Sequence, residues 1–233
     1  MLMKRNIFAI FFALVMCISA LWAGDTAVFV DLGFSPDGRI FMFGQYGVQS
    51  GNLRPWADIF VVDVAANNFV RNGRISHVHN RAINAGQDGS GVFHRLIAEN
   101  AALANRHNVD FVNQGLPLYI SRNENPPRNG EVIEFRNFNT GTSYRAELVP
   151  TITGSGQNTR SSFIIRLESR TAGGQVRTYT VGTPQVVRPL IASYNIRRVL
   201  IDSTGRSMIF VIEMRRVAGA SFDIRYMVEA VRL

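Results

Sequence analysis

The chain has 233 residues, with 25 Lys and Arg against 17 Asp and Glu, and its only cysteine is Cys17. One cysteine excludes an intramolecular disulfide framework and a thiolate metal cluster, and this length allows a single domain to bury its own core. Lys4 is the only lysine, and the basic excess lies late in the chain, since 13 Arg face 6 acidic residues from Arg145 onward.

The first 23 residues have the pattern of a secretory signal peptide. Lys4 and Arg5 precede a short apolar run, and the small residue Ala23 follows it. A basic start, an apolar core and a small-residue exit are typical of a leader that is removed on export. We therefore predict cleavage after Ala23, with Ala20 as the alternative. Residues 24–233 are then a single β-rich domain without a transmembrane helix.

Cys17 lies inside this apolar run, and Leu14 to Cys17 faintly resembles a lipoprotein box. Met16 is larger than the residue that such boxes place before the cysteine, so a lipoprotein anchored through Cys17 is the lesser alternative. Removal of the leader lowers the formal net charge from +8 to +6. We predict an exported protein of the periplasm or the cell surface, and export makes nucleic acid an unexpected partner.

Strands dominate the first part of the predicted domain. Apolar residues alternate from Val28 to Phe34, which predicts a strand. Pro36-Asp37-Gly38 predicts a tight turn, and Ile40 to Phe43 predicts the returning strand. Trp56 to Val64 has the pattern of a third strand, and Phe69 to Val78 has a weaker pattern of a fourth.

One amphipathic helix is predicted near residues 91–107, because apolar side chains there recur at helical spacing. Ser90 or Asp88 can cap its N-terminus. The polar face of this helix is not strongly basic, so we expect it to pack on a sheet and not on a membrane surface.

The rest of the chain predicts further strands joined by short turns. Asn139-Thr140-Gly141 and Ala172-Gly173-Gly174 are typical hairpin turns. The strands are predicted at Leu116–Ser121, Glu131–Phe138, Thr142–Ile152, Ser162–Arg170, Gln175–Val181, Arg197–Asp202, Ser207–Arg215 and Phe222–Arg232. The fold class is therefore mainly β, built from antiparallel hairpins and meanders.

The turn Ser35-Pro36-Asp37-Gly38-Arg39, which follows an aromatic residue, is similar to the blade turns of TolB-type periplasmic β-propellers. Together with Gln45 to Gln49 and Ile59 to Val64, it resembles a bacterial domain-of-unknown-function family of predicted secreted proteins. That resemblance implies a helix after the first strands, a β-rich remainder and a segment centred on Tyr194, but no activity or ligand. A weaker copy of the turn occurs only once, at Asp202 to Arg206. We therefore predict a degenerate β-propeller-like fold, with a β-sandwich as the alternative.

His77 and His79 have the only metal-like spacing in the chain. On a strand the two imidazoles share a face, as zinc or copper ligands do, and His94, His107 or Asp88 is a conceivable third ligand. The alternative is an exposed strand end without a metal. No cofactor is predicted.

Arg197-Arg198 and Arg215-Arg216 are adjacent pairs on predicted strands, so we expect one member of each pair to point outward. Neighbouring strands of a meander can bring the pairs together as a contact patch for an anion. The alternative is a solvated surface.

The sequence contains no convergent catalytic set. Ser35 lacks the second glycine of a nucleophile elbow, and Glu131 and Glu134 are expected on opposite faces of one strand. We therefore predict a non-enzymatic binding or interaction module for an envelope protein or an anionic lipid or glycan. The alternatives are a metal-binding protein or metal-dependent enzyme using His77 and His79, and a structural envelope component.

Overall fold

The computed structural model describes residues 24–84, 86–121 and 131–233. The predicted leader, with its cleavage after Ala23 and with Cys17, lies outside the described residues. The described helices are α1 (Ser90–Glu99) and α2 (Ala101–Arg106). The described strands are β1 (Val28–Phe34), β2 (Ile40–Val48), β3 (Pro55–Asp63), β4 (Asn68–Val78), β5 (Leu116–Ile120), β6 (Val132–Asn137), β7 (Thr142–Thr153), β8 (Arg160–Arg170), β9 (Val176–Val181), β10 (Arg188–Pro189), β11 (Ile191–Ile201), β12 (Ser207–Ala218) and β13 (Ser221–Arg232).

The strands form three antiparallel sheets. Sheet I contains β1 to β4 in chain order. Sheet II has the order β10-β8-β7-β6, and β9 also pairs with β8. Sheet III has the order β13-β12-β11-β5. The mainly β, antiparallel prediction is confirmed.

The sheets pack face to face, with sheet III in the middle. Phe43 of sheet I and Ile209 of sheet III belong to one buried cluster. Phe210, the next residue of β12, packs in a second cluster with Phe163 of sheet II. Alternate side chains of β12 therefore enter two different cores, as a strand covered on both faces requires. The helices cover the outer face of sheet I, where Phe93 is fully buried.

The predicted turn after β1 forms as expected. The Asp37 carboxylate accepts the Ser35 hydroxyl at 2.6 Å and the Arg39 amide at 3.1 Å, and Gly38 has a φ of +67°. This turn packs against its weaker copy, because Ser207 at the start of β12 donates its hydroxyl to the Gly38 carbonyl at 2.6 Å. The two turns thus join sheet I to sheet III. A propeller-like arrangement is not confirmed.

The single predicted helix is two helices, which meet at Asn100. The Asn100 backbone has φ −116° and ψ 21°, and its amide Nδ2 donates to the Leu96 carbonyl at 2.8 Å. An asparagine side chain that bonds the local backbone in this way competes with the helix and ends it. The apolar spacing continues across the break, and Leu103 and Ala104 of α2 are also buried.

Candidate functional site

The Arg197-Arg198 pair lies at a β-bulge in β11. Ile196 pairs with Ile212 of β12, and Arg198 pairs with the next residue, Val211, so Arg197 is the extra residue. Ile196 and Val199 belong to the same buried cluster, although strict alternation would place residues three apart on opposite faces. The bulge therefore turns both arginines toward the face of sheet III that packs on sheet I.

Both arginines line one cavity of about 330 Å³ at the seam between sheets I and III. We call it the arginine cavity. Its polar lining is completed by Ser121 and Tyr226. Its apolar lining consists of Ala27, Val28, Phe29, Ile120 and Val211. The lining therefore combines two arginines, two hydroxyl-bearing residues and an apolar wall.

Arg197 is held in place by acidic neighbours. Its Nε lies 3.1 Å from Glu213 Oε2, and Glu213 is buried. Arg215 Nε lies 4.0 Å from the other oxygen of Glu213, and this Nε has no hydrogen-bond partner within the described ranges. Burial raises the pKa of Glu131, and the nearby Arg197 charge partly opposes that rise. Glu213 thus lies between Arg197 and Arg215.

Arg198 has a different environment. Its guanidinium carbon lies 5.9 Å from the centroid of the Phe29 ring, and the side chain is exposed. Burial raises the pKa of the Asp31 carboxyl to about 7, against the opposing effects of the Gly33 amide and the Arg198 charge. No ion pair to Arg198 is present among the residues that the structure describes. Near neutral pH the Asp31 carboxyl, which feels the Arg198 charge, is therefore only partly ionised.

The Tyr226 hydroxyl lies under the same influences. Burial, followed by the negative charge of Glu213, raises the pKa of Tyr226. The charges of Arg197 and Arg198 and a hydrogen bond from Arg197 act in the opposite direction. Tyr226 therefore stays a neutral hydroxyl, which can donate a hydrogen bond into the arginine cavity.

Arg216 is separated from the other three arginines. It lines a second cavity of about 570 Å³ together with Asp25, Asp223 and Arg225. No bulge separates Arg215 from Arg216, so the two follow normal strand alternation. The structure therefore brings together three of the four predicted anion-contact residues and places the fourth elsewhere.

The two candidate metal ligands lie at the end of β4, an edge strand of sheet I. The His77 and His79 ring centroids are 6.5 Å apart, and His77 is exposed. The part of the chain that the structure describes contains no group of three or more His, Cys, Asp or Glu side chains arranged to hold a metal ion.

A larger cavity of about 820 Å³ lies beside the first turn and the end of α2. Arg39, Arg106 and His107 contribute its basic groups, and Asp37 and Asp63 contribute its acids. The Asp63 carboxylate accepts two backbone amides of the β3–β4 turn at 2.9 and 3.0 Å, and Asp37 has the same role in its own turn. We consider the arginine cavity the better site, because it is lined by two adjacent arginines and by no acidic residue of the described chain.

Sequence reasoning missed Phe29, Asp31 and Tyr226 as site residues. Phe29 and Asp31 lie between the alternating apolar residues of β1, and Tyr226 lies on β13, so the local pattern does not mark any of them as a site residue. Their contribution depends on the packing of sheet I on sheet III, for which the sequence carries no local signal.

None of the helices within the described ranges is long and apolar enough to cross a membrane. A family model described as "Predicted secreted protein (DUF2259)" matches residues 42–232. Neither the curated proteins nor the solved structures contain a significant match to the chain.

Proposed function

Since the chain belongs to the DUF2259 family of predicted secreted proteins, we propose that it is an exported, non-enzymatic module that binds an anionic group on a cell-envelope partner. The observation that carries this proposal is the bulge at Arg197, which turns two adjacent arginines into one cavity. Guanidinium groups are well suited to carboxylates and phosphates, because their planar N–H donors pair with two oxygens at once.

The two arginines have different roles in this proposal. Arg197 is fixed by Glu213, so its guanidinium is held in one orientation. Arg198 is exposed and supplies the net positive charge, since Asp31 ionises only around pH 7. As the pH falls from 8 to 6, Asp31 becomes protonated and the affinity for an anion increases.

The apolar wall favours an anionic group that is attached to an apolar body. Val28 and Ile120 line the cavity and are 46% and 57% exposed, respectively. An acidic lipid or an acidic segment of an envelope protein presents both features, whereas a free glycan presents only the charge. Periplasmic or cell-surface location is part of this proposal.

Co-sedimentation with vesicles tests the lipid version directly. We expect binding to vesicles of phosphatidylglycerol and phosphatidylcholine, but not to phosphatidylcholine alone. Arg197→Gln/Arg198→Gln should lower the bound fraction about tenfold or more, in line with the loss of roughly 1.4 kcal/mol or more from two charge-assisted contacts. The control Arg136→Gln/Arg145→Gln removes the same charge from exposed positions of sheet II. Equal losses of vesicle binding in both variants would show that the effect depends only on the net charge of the protein.

A photo-crosslinking residue at Val28 tests for a protein partner in intact cells. The matched position is Phe138, which is 87% exposed on the β6–β7 turn. We expect a discrete adduct from position 28 and none of the same mass from position 138. The same adduct from both positions would place the contact outside the arginine cavity.

A further inference from the structure

The first described residues of the chain pair with the last strand. Asp25 donates its backbone N–H to Asp223 Oδ1 at 3.0 Å, and its carbonyl accepts the Ile224 N–H at 2.8 Å. Ala27 then donates to the Ile224 carbonyl at 3.1 Å, which makes a short parallel bridge to β13. The segment that directly follows the predicted cleavage point is therefore part of the folded domain.

The Asp25 side chain is buried, with only 4% of the residue exposed. Its Oδ2 accepts Trp56 Nε1 and an Arg225 Nη, each at 2.7 Å. The Arg225 guanidinium also lies 4.2 Å from the centroid of the Trp56 ring. Oδ1, in contrast, has no hydrogen-bond partner in the described part of the chain. A buried carboxylate oxygen without a partner is destabilising, so this oxygen indicates a missing donor.

Two acids, Asp25 and Asp223, and two arginines, Arg216 and Arg225, line this cavity of about 570 Å³. Burial raises the pKa of Asp25 more than Arg225 and Trp56 lower it, and the Asp223 charge raises it further. A cationic N–H donor at Asp25 Oδ1, unpartnered among the described residues, would therefore be stabilising.

Gly24 is the residue that can supply this cation. A Cβ at Gly24 would lie 1.7 Å from the Phe222 carbonyl oxygen, so its backbone packs directly on β13. The Asp25 nitrogen is 3.0 Å from Asp223 Oδ1. One residue spans no more than about 3.6 Å, so the Gly24 nitrogen lies within about 6.6 Å of the same oxygen. Charges at this separation interact appreciably near a protein surface.

We propose that the carboxylates of Asp25 and Asp223 bind the α-ammonium group that cleavage between Ala23 and Gly24 creates. Hydrolysis consumes one water: the leader leaves with the Ala23 carboxylate, and Gly24 keeps an amine that is protonated at neutral pH. Leader removal thereby completes the charge cluster that fixes the N-terminal segment to β13. Cleavage after Ala20 would place the amine three residues away, up to about 11 Å farther along the chain.

The intact mass of the exported protein tests the position of the cut. The full chain, with its own leader, is produced in an exporting bacterial host and purified from the envelope fraction. The proposal requires a mass that begins at Gly24. A mass that begins at Leu21, or a lipid adduct on Cys17, would overturn it.

Thermal unfolding of the processed chain tests the ammonium itself. We compare the chain that begins at Gly24 with the same chain acetylated on its α-nitrogen, each with and without Asp223→Asn. Acetylation should lower Tm by about 2–4 °C, and by much less in the Asp223→Asn background, where the Asn oxygen still accepts the Asp25 N–H. The difference should disappear above about pH 10, because the amine is then neutral. Equal Tm values at pH 7, or an acetylation effect that Asp223→Asn leaves unchanged, would refute the proposal.

Discussion

Replacement of Asp31 by Asn should change the pH dependence of stability in a defined direction. Burial raises the pKa of this carboxyl from 3.8 to about 7, while the Gly33 amide at 2.9 Å and the Arg198 charge only partly oppose that effect. The folded protein therefore keeps a proton on Asp31 over a range where the unfolded chain has lost it. The stabilisation is complete below about pH 4 and is lost as the pH rises through 7.

The size of the effect follows from the width of this pH range. One pKa unit corresponds to about 1.36 kcal/mol, so the wild type should lose about 2–3 kcal/mol through Asp31 between pH 5 and pH 8. Asparagine keeps the acceptor for the Gly33 amide and does not ionise. Asp31→Asn should thus be the more stable protein at pH 8, and the difference should shrink toward pH 4.

Urea unfolding at pH 5 and pH 8 measures this effect for both proteins. Asp25, Glu131 and Glu229 also have raised pKa values, but their contributions are common to both proteins and cancel in the comparison. We expect the unfolding free energy of the wild type to fall by about 2–3 kcal/mol more than that of the variant. Parallel pH dependences, or a wild type that is the more stable protein at pH 8, would refute the assigned environment of Asp31.

Two further predictions concern the contacts between the sheets. Gly38→Ala should destabilise the protein by about 2–4 kcal/mol. The new Cβ would lie 2.0 Å from a carboxylate oxygen of Asp202, in the turn that packs against this one, and the backbone φ at Gly38 is +67°. Gly205→Ala has a similar φ of +71° but no neighbour within 4 Å, so chemical denaturation should give only about 1 kcal/mol; equal losses would contradict the packing of the turns. Glu229→Gln should cost about 2–3 kcal/mol, since the buried carboxylate pairs with Arg188 at 3.2 Å. The exposed control Glu168→Gln should change stability by less than about 0.5 kcal/mol, and a similar value for Glu229→Gln would show that the pair is not buried in solution.

Features set by neighbours in sequence could be predicted. Pro36, Asp37 and Gly38 make their turn through contacts within five residues, so the sequence alone determines it. The same is true of the turn at Asn139 to Gly141, where Gly141 has a φ of +72°. The break at Asn100 was missed because apolar spacing continues through it, and only a bond of the Asn side chain to the backbone ends the first helix.

Features that depend on the register between paired strands could not be predicted. The bulge at Arg197 is visible only in the register of β11 against β12. It places Arg197 and Arg198 on the same face of the strand, whereas strict alternation predicts opposite faces. The start of β11 at Ile191 and the two-residue β10 were missed for the same reason, since each depends on a partner strand. The four arginines were identified by their charge, whereas Tyr226 and Asp31 required the packing of two sheets.

The most direct test of anion recognition by this protein is photo-crosslinking from Val28 in intact cells, with and without Arg197→Gln/Arg198→Gln. This measurement detects a lipid or a protein partner at the same position. We predict an adduct whose yield falls at least tenfold in the double variant and is retained in Arg136→Gln/Arg145→Gln. An adduct of unchanged yield in the double variant would contradict a role for the two arginines in binding.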